Sequence, residues 1–212
     1  MYGVTEIKRR QLRWQATRAT LMAATVKSLV EHGYAGTTMQ RVQAYAGVSR
    51  GTLTHHFGSM QDLLVAAIHH VAEEQLEQIT TLLKERAPKQ GPDELVQILH
   101  RFMSGPMFVA GLELWLAART DDSLRAALAP TEREFGHKMR AVLQQSGIGG
   151  DGTPITRDDL ESLFVLFRGL AVTHILREDD GFELRLLHLW ADQARGRSDN
   201  TAEKVSEPSV KG

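Results

Sequence analysis

The stretch AGVSRGTLTHHFGS, from Ala46 to Ser59, decides the fold of the first part of this chain. Gly47 ends one helical pattern of apolar residues. Ser49 is a favourable N-cap for the helix that follows, in which the inward-facing residues Leu53 and Phe57 lie four positions apart. A helix, a short turn with a glycine and a second helix together predict a helix-turn-helix. The outward residues of the second helix are small and polar, so its partner is a metal ion, a substrate or the edge of a DNA base.

The residues before this stretch predict two more helical features. Apolar residues three or four apart extend from Leu12 to Val30 along one face of a long first helix, and Gly33 fits its left-handed C-cap. Thr37 and Gln40 fit a capping box that starts a short second helix. The inner face of that second helix is apolar and carries Met39, Val42 and Ala46.

Helical patterns continue through the rest of the chain. With Ser59 as N-cap, an apolar stripe predicts a fourth helix that ends near Arg86, and later helices are predicted over 93–104, 106–119, 122–146, 156–178 and 182–195. The segment SGIGGDGTP, from Ser146 to Pro154, predicts a flexible loop, and the polar residues 196–212 predict a disordered tail. No strand pattern competes, so the predicted fold class is all-α.

Composition limits the class of protein. The chain has 212 residues, of which 42% are hydrophobic, enough for one or two compact domains. It contains no cysteine, which excludes disulfides and thiolate metal sites. The sequence has no signal-peptide pattern and no apolar run long enough to cross a membrane. We therefore expect a soluble cytoplasmic protein.

Charge is distributed unevenly along the chain. Residues 1–58 carry eight Lys or Arg against two Glu, a net charge of +6, whereas the whole chain has a formal net charge of −1 and the remainder therefore −7. A basic segment joined to an acidic one indicates a polyanionic partner for the first. A solvated basic helix explains the same charge equally well.

Metal binding and catalysis have little support in the sequence. Adjacent helical residues such as His55 and His56 point about 100° apart, and no two histidines lie four residues apart. No serine lies in the strand-turn-helix elbow that positions a catalytic nucleophile. We expect no metal, no cofactor and no catalytic residue. We expect His56 to be packed or to cap a helix, and Arg18 to face solvent.

Three motifs carry a resemblance to a known family. EHGYAGTTMQRV, AGVSRGTLTHHF and GSMQDLL occur in the order and spacing found in the DNA-binding domain of the TetR family of bacterial transcriptional regulators, which residues 8–68 resemble. Further on, LELWLAART followed by LRAAL resembles the ligand-binding half of some members. The resemblance implies three N-terminal helices that bind DNA and a C-terminal helical domain that binds a ligand and dimerises.

Three positions depart from the family pattern. The family usually has a small alanine where Gln43 stands, packed against the recognition helix. It usually has Tyr at Thr54 and Lys at Met60, and both are common phosphate contacts. Other basic residues would have to replace those two contacts here.

The DNA-binding residues follow from the chemistry of the grooves. A recognition helix needs small polar side chains, because bulky ones would hold the backbone away from the major groove. Base-edge contacts are therefore predicted for Arg50, Gly51, Thr52, Thr54 and His55. Helix N-termini and basic side chains suit phosphates. The predicted phosphate contacts are Thr38, Arg41, Ser49, Arg9, Arg10 and Arg13, with Lys8 adding charge to the same N-terminal arm.

The acidic C-terminal part combines Met and aromatic residues with isolated polar ones. Packing in an ordinary hydrophobic core is the alternative explanation for most of these residues. Small-molecule sites, however, are built as apolar cavities with a few polar groups. The predicted pocket residues are Phe102, Met103, Met107, Phe108, Glu113, Trp115, His137, Phe167, Arg168 and His174. The expected effector is an apolar molecule with few polar groups.

The last two predicted helices are apolar on more than one face, which indicates a partner surface. A two-fold dimer through four helices is what the resemblance implies, and a helix buried inside a monomer is the alternative. The predicted interface residues are Leu163, Phe164, Gly169, Leu170, Leu186, Leu187 and Trp190.

These predictions combine into four segments and one function. The segments are a helix-turn-helix domain with a basic arm (1–58), a connecting helix (59–86), a ligand-binding and dimerisation domain (87–195) and the tail (196–212). The predicted function is a homodimeric repressor released from a palindromic operator by a small molecule. A DNA binder without an effector and an activator are alternatives. An enzyme with a helical appendage is disfavoured because no catalytic constellation is visible.

Overall fold

A computed structural model describes residues 2–86, 92–145, 156–177 and 181–206. The described residues are helical and contain no strand. Their helices are α1 (Tyr2–Gly36), α2 (Met39–Ala46), α3 (Arg50–His56), α4 (Met60–Arg86), α5 (Pro92–Met103), α6 (Pro106–Ala117), α7 (Asp122–Gln145), α8 (Arg157–His174) and α9 (Phe182–Ser206). None of these helices is long and apolar enough to span a bilayer. The predicted all-α class is confirmed.

The junction between α1 and α2 differs in one detail from the prediction. Gly33 breaks the regular helix with the positive φ that was predicted, 66°, but its ψ of −176° lies outside the left-handed helical region expected of a C-cap. The N-cap of α2, however, is Thr38 rather than Thr37: the Thr38 hydroxyl accepts a hydrogen bond from the Arg41 N–H at 3.2 Å. Thr37 is buried instead, and its hydroxyl donates to the Gly33 carbonyl at 2.8 Å. Because that hydroxyl is already engaged inside the fold, the next threonine caps the helix.

The other predicted helix starts in this region are confirmed. Gly47 has a φ of 64°, and the Ser49 hydroxyl accepts from the Thr52 N–H at 3.1 Å to cap α3. The Ser59 hydroxyl accepts from the Asp62 N–H at 3.0 Å at the start of α4. These short polar side chains satisfy backbone donors that have no partner within their helices.

Both ends of the chain are more helical than predicted. The basic N-terminal arm is part of α1, so Lys8, Arg9, Arg10 and Arg13 lie on a helix. Helix α9 continues to Ser206, eleven residues beyond the predicted end at 195, so the tail predicted from 196 is helical up to that residue. The predicted loop Ser146–Pro154 and residues 207–212 lie outside the described residues.

The chain divides into two compact units that do not follow the predicted domain boundaries. Unit 1 contains Met1–Glu73 and Ala110–Arg133, and unit 2 contains Glu74–Val109 and Glu134–Gly212. Helices α4, α6 and α7 therefore contribute residues to both units. The sequential boundary predicted at 58/59 overlooked this, since residues distant in sequence complete the N-terminal unit.

Unit 1 has two apolar clusters. The first packs α1 to α4 together through Leu21, Ala24, Val42, Leu53, Phe57 and Leu63, so the predicted inward residues of α3 are confirmed. The second joins α1 and α4 to the end of α6 and the start of α7 through Leu29, Leu64, Ala110, Leu114, Ala118, Leu124 and Leu128. Burying a leucine of this kind stabilises the fold by about 1.5–3 kcal/mol.

Unit 2 has one larger apolar cluster, to which α4, α5, α7, α8 and α9 contribute. Helix α8 begins with a capping box in which the side chains of Thr156 and Asp159 each accept from the other's backbone N–H. The indole of Trp190 on α9 donates to the Ser162 hydroxyl on α8 at 2.9 Å. Polar contacts thus fix helices that the apolar cluster brings together.

Candidate nucleic-acid interface

Helix α3 presents a polar outer face opposite its buried one. Leu53 and Phe57, the residue just after the helix, are buried. The residues predicted to contact base edges are exposed, except Thr52, which is half-buried. The predicted base-contacting residues are Arg50, Gly51, Thr52, Thr54 and His55. A short helix with its apolar side in the core and small polar groups outside has the form needed to enter a major groove.

Two threonines on this helix are already hydrogen-bonded. The hydroxyls of Ser49 and Thr52 lie 2.9 Å apart, so Ser49 both caps α3 and orients Thr52. The Thr54 hydroxyl points back to the backbone, 3.1 Å from the Arg50 carbonyl and 3.2 Å from the Gly51 carbonyl. Its proton is therefore engaged, and Thr54 can offer a DNA base a lone pair or its methyl group. Arg50 remains the strongest donor of the set.

The predicted phosphate contacts form two groups. Thr38 and Ser49 are exposed N-caps of α2 and α3, where backbone N–H groups favour anions. Arg41 is half-buried, and its guanidinium donates to the Gly36 carbonyl, which fixes it near the start of α2. The remaining cations are exposed on α1: Arg9, Arg10 and Arg13.

The sequence analysis missed an aromatic cluster that joins α1 to the end of α3. The ring centroids of Trp14 and His56 lie 5.2 Å apart, and the Arg18 guanidinium lies 4.3 Å from the centroid of the Phe57 ring. Arg18 also lies 5.7 Å from the centroid of the Trp14 ring, so the expectation that it simply faces solvent was wrong. The spacing of Trp14 and Arg18, four residues apart on one helix, was the signal in the sequence that predicts a shared face.

His56 is packed, as predicted, and is an unusual titratable group. Its Nδ1 is buried with no hydrogen-bond partner among the described residues. Burial lowers the pKa of His56 below its usual value, and the neighbouring His55 and Arg18 lower it further. The fold therefore favours a neutral imidazole at this position.

Met60 has a structural account among the family departures, whereas nothing in the structure explains the glutamine at position 43. Met60 packs against both apolar clusters of unit 1, so a packing contact stands where the family usually has a lysine. Gln43 is half-buried on α2, and its carbonyl accepts from the Gly47 N–H. Both positions are thus integrated into the helix-turn-helix.

Two residues predicted to line a ligand pocket lie in unit 1. The Glu113 carboxylate accepts a hydrogen bond from the backbone N–H of Tyr34 at 2.7 Å. The Glu113 carboxylate therefore has a partner in α1, because the break in the helix at Gly33 leaves the Tyr34 N–H without a partner in its own helix. Trp115 is exposed on the same helix.

The other predicted pocket residues lie in unit 2. Met103 and Phe167 are buried in its cluster, and Phe102 and Phe108 pack against that cluster. Met107 and Arg168 are half-buried, whereas His137 and His174 are exposed. The structure thus divides the predicted set between two units, and a common pocket stays a prediction.

The residues predicted for the dimer interface are mostly core residues of their own chain. Leu163, Phe164, Leu170, Leu187 and Trp190 are buried in the cluster of unit 2, and Leu186 packs against it. The interface therefore stays a prediction, because apolar periodicity does not distinguish a helix face in the core from one that is exposed. The exposed apolar residues of this region are instead Val165, Val172, Ile175, Leu176, Phe182, Leu184 and Leu189, while Gly169 is exposed as well.

These features define the protein as a helix-turn-helix DNA-binding protein. Among the described residues, no group of three His, Asp or Glu side chains is placed to hold a metal ion. The polar face of α3 has the residues and exposure of a DNA-binding surface.

Comparison with known proteins identifies the family. Residues 21–67 match the family described as bacterial regulatory proteins, tetR family, and residues 89–192 match the tetracyclin repressor-like C-terminal domain. The HTH-type transcriptional regulator CymR of Pseudomonas putida is 33% identical over 173 residues, which cover 77% of this chain and 81% of CymR. The chain belongs to the TetR family. It is a DNA-binding transcriptional regulator and not an enzyme.

Two solved structures support the fold. A TetR transcription regulator from Haloarcula marismortui aligns with a TM-score of 0.62 at 20% identity, covering 87% of this chain and 98% of that one. The multidrug binding protein EbrR in complex with imidazole aligns with a TM-score of 0.61 at 24% identity, covering 82% of this chain and 94% of that one.

Proposed function

We propose that this regulator is a homodimeric repressor that leaves its operator when a small apolar molecule binds. The observation that carries the proposal is the outer face of α3, where Arg50, Thr52 and His55 stand together beside two helix N-caps. Arg50 donates two hydrogen bonds to a guanine in the major groove, and Thr52 supplies a hydroxyl to the neighbouring base. Thr38, Ser49 and the cations of α1 contact phosphates.

The dimer surface in this proposal is the exposed face of α8. Val165, Gly169 and Val172 follow one another at intervals of four and three residues, so they lie along one side of α8, and Leu176 lies in the turn just after the helix. Val165 is 63% exposed and Leu176 is 91% exposed, which is costly for apolar side chains in water. A Cβ added at Gly169 would meet nothing within 4 Å, so a partner helix has room to approach closely. A second copy of the same face covers this stripe across a two-fold axis.

The effector site in this proposal lies in unit 2. Phe102 and Phe108 pack beside the buried Phe167, and the half-buried Arg168 supplies a polar group nearby along α8. An apolar wall with one cationic group suits a small, mostly apolar molecule with a single acceptor or acidic group. The name of EbrR describes a multidrug binding protein, which is consistent with an effector of this kind.

The experiment has two stages. Selection from a random duplex library with the purified chain identifies the operator, which we expect to be a pseudo-palindrome with half-sites about one helical turn apart. Thermal-shift screening of small apolar molecules then supplies a ligand, whose affinity is measured by calorimetry with and without the selected duplex. We expect the duplex and the ligand to weaken each other's binding by the same factor, a coupling of about 1–3 kcal/mol. Equal ligand affinity in both titrations would contradict the release mechanism.

A further inference from the structure

The end of α1 is held by a carboxylate from a distant part of the sequence. At Gly33 the backbone leaves the helix, and the next N–H, that of Tyr34, donates to the Glu113 Oε2 at 2.7 Å. The two residues are 79 positions apart, and both belong to unit 1. A hydrogen bond from a backbone N–H to a carboxylate is charge-assisted and roughly twice as strong as a neutral one.

Gly33 is matched to this carboxylate in two ways. Its φ of 66° is unfavourable for residues with a side chain, and a Cβ at this position would lie 2.7 Å from the Glu113 Oε2. The glycine thus both makes the turn and leaves the space that Glu113 occupies.

A second carboxylate lies near the side chain of the same tyrosine. Burial raises the pKa of the Tyr34 phenol, and the neighbouring Asp121 carboxylate raises it further. Asp121 is itself fixed, since its Oδ1 accepts from the Leu124 N–H at 2.9 Å at the start of α7. The backbone of Tyr34 is therefore bound to α6, and its side chain lies near Asp121, in the segment that joins α6 to α7.

This anchor lies immediately before the DNA-binding helices. Thr37, three residues after Tyr34, donates to the Gly33 carbonyl, and Thr38 caps α2. The path from Tyr34 to α2 is short and is fixed by hydrogen bonds at both ends. A change at Tyr34 therefore changes the position of α2 and of α3 after it.

We propose that Glu113 is a positioning residue for DNA binding, which holds the Gly33–Thr38 corner in the conformation that presents α2 and α3 to the operator. This role rests on the DNA-binding function of the chain. In it, the Glu113 carboxylate binds the Tyr34 N–H of the same chain and not an effector. The Tyr34 N–H needs an acceptor, and a glutamine amide oxygen can replace the carboxylate in that role.

The test compares three variants of the full chain on a duplex selected from random DNA by the wild-type protein. Glu113→Ala removes the acceptor, Glu113→Gln keeps an acceptor without the charge, and Asp122→Ala removes a carboxylate that is 87% exposed on α7 and contacts Arg125. We expect Glu113→Ala to weaken binding about tenfold, Glu113→Gln less than about threefold, and Asp122→Ala not measurably. Hydrogen exchange at the Tyr34 amide should be faster in Glu113→Ala and close to wild type in Glu113→Gln.

Two results would overturn the proposal. One is unchanged DNA affinity in Glu113→Ala, and the other is a loss in Glu113→Gln as large as in Glu113→Ala. The amide exchange at Tyr34 is measured without DNA, so it decides whether the contact exists even if the wild-type chain selects no duplex. If the wild-type chain selects no duplex, that result contradicts the proposed operator binding and not the role of Glu113.

Discussion

The rings of Trp14 and His56 are in contact at a centroid distance of 5.2 Å, tilted by 34° to one another, and this contact joins α1 to the last residue of α3. Arg18 closes the cluster over Phe57. A neutral imidazole packs well against the indole, whereas a protonated one would carry its charge near that of Arg18 with a buried Nδ1 that has no hydrogen-bond partner among the described residues. The position of the recognition helix is therefore tied to the charge of His56.

The first prediction is a loss of stability at acid pH that depends on His56. Since the folded chain lowers the pKa of His56, the unfolded chain binds more protons between about pH 6.5 and that lowered pKa. The contribution of His56 is complete above about pH 6.5 and is lost as the pH falls through the lowered pKa. Urea unfolding at a series of pH values should therefore give a flatter pH dependence for His56→Gln than for wild type. His174→Gln, at an exposed position, is the control, and an equally flat profile for it would refute the assignment.

The second prediction concerns base contacts. Replacing Arg50 or Thr52 by Ala should cost about 1–3 kcal/mol of affinity for the selected duplex and relax the base preference at one position per half-site. Repeating the selection with each variant measures both effects. Arg101→Ala removes an equally exposed charge from unit 2 and should leave the preference unchanged. If affinity for selected and random duplexes falls equally, Arg50 and Thr52 contact the backbone instead.

The third prediction separates the dimer surface from the core. Val172→Glu places a charge on the exposed face of α8 and should dissociate the dimer while the helical content remains, as measured by sedimentation and circular dichroism. Leu187→Arg changes a residue with no exposed surface and should unfold unit 2. Leu116→Glu makes the same kind of change at an exposed leucine of unit 1 and is the control. An intact dimer in Val172→Glu would move the interface to another surface.

The fourth prediction uses a pair of glycines with nearly the same φ. Gly33→Ala and Gly47→Ala both introduce a side chain at positive φ. At Gly47, with a ψ of 30°, this costs about 1–2 kcal/mol, whereas Gly33, with a ψ of −176°, lies in a region that is open almost only to glycine. Only at Gly33 does the new Cβ also meet the Glu113 carboxylate. Gly33→Ala should therefore destabilise the wild-type chain more than it destabilises Glu113→Ala, while Gly47→Ala should cost the same in both. Urea unfolding of six chains measures this: the wild type and Glu113→Ala, each alone and with either glycine substitution. Additive effects at Gly33 would show that the carboxylate does not occupy the space beside it.

Much of the helix-turn-helix could be predicted because its signals are local. Ser49 and Ser59 cap the helices that follow them, and the inward pair Leu53 and Phe57 is fixed by helical spacing. Positive φ at Gly33 and Gly47 also follows from the chemistry of a single residue. The choice of Thr38 over Thr37 as N-cap could not be predicted, because it depends on which hydroxyl the folded chain uses internally.

The family, the helices and the polar face of α3 could all be predicted from the order of residues, since each follows from residues within one or two helical turns of each other. Only the tertiary structure decided that Glu113 is bound to Tyr34, that Arg18 lies over Phe57, and that the exposed face of α8 carries Val172 rather than Leu170. Apolar periodicity shows that a helix has a face to bury, but which face is buried and which carboxylate finds a free N–H depend on contacts between residues far apart in the chain.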